Sequence, residues 1–124
     1  MTERREPVGV LVVDDQRPFL RALRRILDRA DGFTVIGEAT SGEEAVAAAA
    51  GLAPGLVVMD VMLPGINGIE ATRRIVAAVP DAIVVLVSTR RASELPEGWS
   101  TCGAAAFVPK EEFDVDILAG LLAS

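Results

Sequence analysis

Four short stretches of this 124-residue chain carry side chains that could do chemistry together. Asp14 and Asp15 are adjacent acids. Asp60 opens the stretch Asp60-Val61-Met62-Leu63-Pro64-Gly65-Ile66-Asn67-Gly68. Ser88-Thr89 offers two hydroxyls and Lys110 an ammonium. Each stretch stands at the end of an apolar run. Acids crowded into one solvent-facing cleft repel each other, and a proton or a divalent cation relieves that repulsion. An all-oxygen site suits a hard cation, and Mg²⁺ is held by few carboxylates together with waters and phosphate oxygens. A hydroxyl and an ammonium beside such a cation would meet the oxygens of an incoming phosphoryl group. A carboxylate held there can itself be the nucleophile, forming an aspartyl phosphate.

Taken singly, each residue has a plainer reading. Asp14 or Asp15 could cap the helix that follows. Asp60 could be a turn-former ahead of Pro64-Gly65. Ser88 or Thr89 could be a helix cap, and Lys110 a solvated surface charge. The chemical reading depends on whether the fold brings them together, so the elements that position them come next.

Val8-Gly9-Val10-Leu11-Val12-Val13 is β-branched and continuous, the pattern of a strand covered on both faces. An amphipathic helix follows, with Leu20, Leu23, Leu27 and Ala30 on one face, Ile26 beside them, Pro18 in its first turn and Gly32 beyond its end. Phe33 to Gly37 reads as a second, weaker strand. Ser41 and Glu44 fit a capping box ahead of an alanine-rich helix running to about Ala50. Leu56-Val57-Val58-Met59 is short enough to be a buried strand, and Asp60 marks its emergence into a loop. After Gly68, the residues Ile69, Thr72, Ile75, Val76 and Val79 share a helical face, closed by Pro80-Asp81. Ile83 to Val87 is a fourth strand. Ala104 to Val108 is a fifth, followed by a helix with Phe113, Ile117, Leu118 and Leu121 on one stripe. Between the last two strands, Pro96-Glu97-Gly98 sits inside the segment from Arg90 to Gly103. Proline in a helix interior costs ~3 kcal/mol and glycine about 1, so the helix there is expected to be broken or very short.

Five βα units in a row predict an α/β fold with a flavodoxin-like (βα)5 doubly wound parallel sheet and an irregular or shortened fourth helix. The natural strand order is 2-1-3-4-5, whose switch point lies between the first and third strands. Their carboxyl ends carry Asp14-Asp15 and Asp60, and the fourth and fifth strands deliver Ser88, Thr89 and Lys110 to the same edge.

Composition narrows the function classes. One domain is expected, with residues 1–7 as a flexible lead and 8–124 as the folded unit. Half the residues are hydrophobic (51%), enough for a core without staples. Cys102 is the single cysteine, which excludes an internal disulfide and points to a reduced compartment, hence the cytoplasm. A net charge of −6 and few aromatics argue against nucleic acid as a direct partner of this domain. No apolar run approaches the ~20 residues of a membrane span, and no h-region follows the charged N-terminus. The absence of histidine removes histidine base catalysis and histidine metal ligation. No Gly-rich Lys-Ser/Thr loop supports nucleotide hydrolysis.

In this order and spacing, Asp14-Asp15, the block from Asp60 to Gly68, Ser88 and Phe107-Val108-Pro109-Lys110 together resemble the receiver domain of two-component response regulators, over essentially the whole chain. The resemblance implies that Asp60 is the phosphoacceptor. Asp15 looks like a direct Mg²⁺ ligand, Asp14 a ligand through water, and the backbone carbonyl of Met62 a further ligand. Ser88 looks like the switch hydroxyl, Lys110 the phosphate-binding lysine, and Phe107 the aromatic that moves with the switch. The implied partners are a sensor histidine kinase or phosphotransfer protein, which supplies a phosphohistidine that this chain lacks, and a downstream protein target; a homodimer is left open. The chain would be a switch catalysing only its own phosphoryl transfer and slow dephosphorylation, not an enzyme acting on others. It would be a single-domain regulator or the receiver part of a longer transcriptional regulator.

Three departures accompany the resemblance. Glu111, not proline, follows Lys110, so a trans bond or a strained loop is expected. Met62 and Thr89 are bulky neighbours of the phosphoryl pocket, expected to crowd attacking water. Pro96-Glu97-Gly98 disrupts the helix that in this family carries output. The alternatives are a pseudo-receiver that takes no phosphate, an Asp-nucleophile phosphatase of the haloacid-dehalogenase type, and a flavodoxin. The phosphatase needs a second acid where Met62 stands, and Asp14-Asp15 would repel the flavin phosphate.

Overall fold

The apolar runs become the five strands of one parallel sheet, flanked on both faces as continuous hydrophobic strands require. The computed structural model describes residues 6–123. Residues 1–5 of the expected lead and Ser124 lie outside them, while Glu6 and Pro7 are exposed and precede the first strand. The elements run β1 (Val8–Val13), α1 (Arg17–Arg29), β2 (Phe33–Ala39), α2 (Gly42–Leu52), β3 (Leu56–Asp60), α3 (Gly68–Ala78), β4 (Ile83–Ser88), β5 (Ala106–Pro109) and α4 (Val115–Ala123). Single 3-10 turns occupy Ala92–Glu94 and Lys110–Glu112. The strand order is β2-β1-β3-β4-β5, as the alternation of elements predicts.

Strand residues alternate between two cores. Val10, Val12, Val58, Val85 and Val87 meet Leu20, Leu23 and Leu27 of α1 and Leu118 of α4. Leu11, Val13, Val57, Met59, Val84 and Leu86 meet Ala45 and Ala49 of α2 and Ile69, Ala71 and Ile75 of α3. Ile117, read from sequence as part of the last stripe, is 38% exposed, and Ile26, read as flanking the α1 face, is 37% exposed. Phe113 precedes α4, capping the 3-10 turn before it.

Helix starts follow local chemistry. Ser41 Oγ accepts from Glu44 N–H at 3.1 Å, the expected forward arm of the capping box. The return arm goes one residue further back, since Thr40 donates to Glu44 through its N–H and its hydroxyl (3.4 and 3.2 Å). Asn67 Oδ1 caps α3 by accepting from Glu70 N–H at 3.0 Å.

The crossover from β4 to β5 has no α-helix. After the 3-10 turn, Gly98 turns the chain at φ +90°, in the left-handed region that suits glycine. Leu95, Trp99, Cys102 and Ala104 pack on the α2/α3 face of the sheet where a helix would lie. Among the described residues no peptide bond is cis, so Lys110–Glu111 is trans, and it lies within the 3-10 turn Lys110–Glu112.

Gly68 joins the sheet to α3 at close quarters. Its N–H donates to Val61 O at 2.8 Å, and a Cβ at this position would collide with the backbone carbonyl of Asp60. Gly68→Ala should therefore lower the unfolding free energy by about 2 kcal/mol through overpacking, although alanine is the better helix former by about 1 kcal/mol. Urea denaturation reads this directly; a variant as stable as the parent would mean that the contact relaxes freely.

Candidate functional site

Register sets the site. Val13 lies opposite Met59, Asp60 opposite Val87, and Ser88 opposite Pro109. The residues at or just past the four strand ends, Asp14, Asp60, Ser88 and Lys110, therefore reach the carboxyl edge within one residue of each other. Oxygens of Asp14, Asp15 and Asp60 all lie within 4.8 Å of one another. Asp14 is fully buried and Asp60 4% exposed, whereas Asp15 faces solvent. Lys110 Nζ stands 2.6 Å from Asp14 Oδ2 and 3.6 Å from Asp60 Oδ2. The short contact is an ion pair without hydrogen-bond alignment, so Asp14 Oδ2 retains unspent acceptor capacity.

The strand-end residues share one device. Asp14 Oδ1 accepts from Gln16 N–H at 2.8 Å, Asp60 Oδ1 from Met62 N–H at 3.3 Å, and Ser88 Oγ from Arg90 N–H at 3.0 Å. Each side chain fixes its own loop two residues on, the local bonding that short polar side chains favour. The plainer readings are thus partly right: Asp60 does order its turn. Asp14 does not cap α1, whose N-cap is Gln16 without a side-chain bond. In each acid one oxygen remains for the cleft, and Ser88 keeps its O–H to donate.

Burial pushes the Asp60 carboxyl up to about 6, with the Asp14 charge adding to the effect. The Lys110 ammonium and the Met62 N–H oppose it, and Asp15 adds a smaller upward push. Three acids against one ammonium leave the cleft short of positive charge. The donor set is all oxygen and clustered, which fits a hard divalent cation better than a soft one.

The remaining candidates lie around this centre. Met62 follows Asp60 by two residues and is 41% exposed, and Thr89, next to Ser88 in the chain, is exposed. Phe107 is half-buried and meets Trp99 edge-on, with centroids 5.8 Å apart. Two neighbours escape a reading by strand ends. Phe19, in the first turn of α1, places its ring centroid 4.5 Å from Lys110 Nζ. Glu43, in the first turn of α2, accepts from Ile66 N–H at 3.3 Å and so steadies the loop after Asp60. The sequence held one unused signal: Lys110 is the only lysine in the chain.

A family model described as the response regulator receiver domain matches residues 10–121. The chain belongs to that family. GacA, a response regulator of Pseudomonas viridiflava, is 41% identical over 103 residues, which cover 83% of this chain and 48% of GacA. The chain thus spans about half the length of that curated relative. Among solved structures, the receiver domain of NarL from Mycobacterium tuberculosis superposes with a TM-score of 0.86 at 25% identity, covering 96% of each chain. A chain of the CheX–CheY–BeF3–Mg complex from Borrelia burgdorferi gives 0.81 at 27% identity, covering 94% of this receiver and 88% of that chain.

The raised Asp60 carboxyl makes a stability prediction for the metal-free receiver. A carboxyl whose folded value lies above its unfolded one binds its proton more tightly when folded. The resulting stability is fully present below about pH 4 and is lost as pH rises through about 6. Asp60→Asn removes this dependence. In EDTA it should gain on the order of 2 kcal/mol relative to the parent between pH 4 and pH 7.5, read by urea denaturation at both pH values. A gap between the two proteins that does not change with pH would contradict the assignment.

Proposed function

We propose that this receiver is a phosphorylation-controlled switch in which Asp60 accepts a phosphoryl group. The observation that carries the reading is the convergence of Asp60 Oδ2 with Asp14, Asp15 and the sole lysine in a largely buried cleft. In this family the donor is a phosphohistidine on a partner kinase or phosphotransfer protein, and this chain has no histidine with which to supply one itself. An Asp60 carboxylate oxygen attacks phosphorus. A P–O bond forms as the P–N bond breaks, and the electron pair leaves on the imidazole nitrogen, which takes up a proton.

Asp14, Asp15, Asp60 and the Met62 carbonyl would hold Mg²⁺, which when bound neutralises charge on the transferring phosphoryl oxygens. Lys110 neutralises a further oxygen, leaving Asp14 for the incoming group. Ser88 donates its free O–H to the phosphoryl group, and Thr89 borders the same space. Phe107 then turns inward into the space that Ser88 vacates, giving up its contact with Trp99 of the crossover, and the altered surface is read by a downstream protein. The related CheX–CheY complex was solved with BeF3 and Mg, which supports this chemistry by analogy. Among the described residues no helix is long and apolar enough to cross a membrane, and we place the switch in the cytoplasm, with the folded unit running from Val8 onward.

Incubation with acetyl phosphate and Mg²⁺ should add one phosphoryl group to the intact mass. EDTA or Asp60→Asn should abolish the adduct. A folded protein that gains no mass would instead act as an unphosphorylated interaction module. Met62→Asn should shorten the adduct lifetime, measured by the decay of the phosphorylated mass after donor removal, because the apolar side chain at the rim obstructs attacking water. An unchanged lifetime would remove Met62 from that role.

A further inference from the structure

Through its ammonium, Lys110 meets a ring as well as two acids. Its side chain is 9% exposed, ion-paired to Asp14 and Asp60, and its ammonium lies over the ring of Phe19. We propose that Phe19 is a positioning residue for phosphoryl transfer, holding the Lys110 ammonium in the cleft by its ring face; this rests on the phosphoacceptor reading of Asp60.

The carboxylates alone are a contestable anchor. A cation binding to the same oxygens competes with Lys110 for Asp14 and Asp60. An ammonium on a flexible four-carbon stem is then free to turn outward. A ring face attracts the ammonium through its quadrupole and offers no oxygen for which a metal could compete. Phe19 therefore supplies a contact that survives the arrival of the cation.

The ring is also firmly placed. Pro18 is the second residue of α1, in the first turn, where its fixed φ is tolerated and its missing N–H is not needed. Phe19 N–H donates to Gln16 O at 3.1 Å, and Gln16 N–H donates to Asp14 Oδ1 at 2.8 Å. Asp14 thus grips the turn that presents Phe19 with one oxygen and the lysine that Phe19 faces with the other. The contacts close a circuit from Asp14 through Gln16 and Phe19 to Lys110. The inner side of Phe19 packs against the core on the α1 face, so leucine can replace its bulk there without replacing its ring.

The chain's single lysine makes the test selective. The 124-residue chain is labelled with trace acetic anhydride, with the N-terminal amine as internal reference. Lys110 in Phe19→Leu should acetylate about threefold faster than in the parent, and Phe19→Trp should protect it at least as well as phenylalanine does. With acetyl phosphate at saturating Mg²⁺, Phe19→Leu should gain phosphoryl about threefold more slowly, with a Mg²⁺ Kd within about twofold of the parent's, and Phe19→Trp should restore the rate. In a Lys110→Met background, Phe19→Leu should cause no further loss. Parental labelling and rate in Phe19→Leu, a Trp variant as slow as the Leu variant, or a loss that persists without Lys110 would each overturn the proposal while leaving the phosphoacceptor reading intact. A parent protein that takes no phosphoryl group overturns that reading, and Phe19's role in transfer with it.

Discussion

The structure depends on one unequal balance of charge. Three carboxylates are held within a few ångströms at the carboxyl edge of the sheet, and one ammonium answers them. Left to themselves the acids would separate, because like charges at such distances repel by about a kcal/mol in water and by more as the dielectric falls. What prevents separation is the β1–β3 pairing, in which Val10 to Val13 run alongside Leu56 to Met59 and are buried without exception. The burial of these eight side chains holds the acids in an arrangement that a cation can then relieve. Burial first and the Asp14 charge second push the Asp60 carboxyl up, so a proton can relieve the same crowding.

Much of this was legible in the sequence, because a parallel sheet turns linear position into spatial position. Each apolar run announces a strand, and whatever polar residue ends the run lands on the edge where sites form. Asp14, Asp60, Ser88 and Lys110 are readable for that reason, as is the strand order. Phe19 and Glu43 are not. Their contacts join helix first turns to groups that are distant in sequence, and no periodicity encodes which way a ring or carboxylate will lean. The misread positions have equally local causes. Ile117 fits the apolar period of α4, but that nine-residue helix at the sheet edge buries only the side on which Leu118 stands. The capping box slipped by one residue because Thr40 offers Glu44 both a hydroxyl and an N–H.

The crossover between β4 and β5 shows a different kind of legibility. Pro96-Glu97-Gly98 predicts on propensity a broken or very short helix, yet says nothing of what takes its place. The replacement is a segment held by side chains: Leu95, Trp99 and Cys102 on the core, with Cys102 Sγ donating to Trp99 O at 3.4 Å. Few repeating backbone bonds support it, so its local stability rests on a handful of apolar contacts, the condition under which segments open below the global unfolding energy.

That dependence ties the crossover to the site. Phe107 pairs with Leu86 inside the sheet, two residues before Ser88, and its ring meets Trp99 edge-on. Such a ring pair contributes about 0.5–1.5 kcal/mol beyond its buried area. Any rotation of Phe107 in response to Ser88 would surrender that contact, which supplies part of the few kcal/mol that separate major from minor conformers in two-state switches. A regular helix, with its own backbone bonds, would feel the loss of one ring contact only weakly. A segment that owes its position to Trp99 would feel it strongly. If Phe107 answers Ser88 as proposed, the helix-breaking residues concentrate the coupling between the acidic edge and the outer surface into one pair of rings.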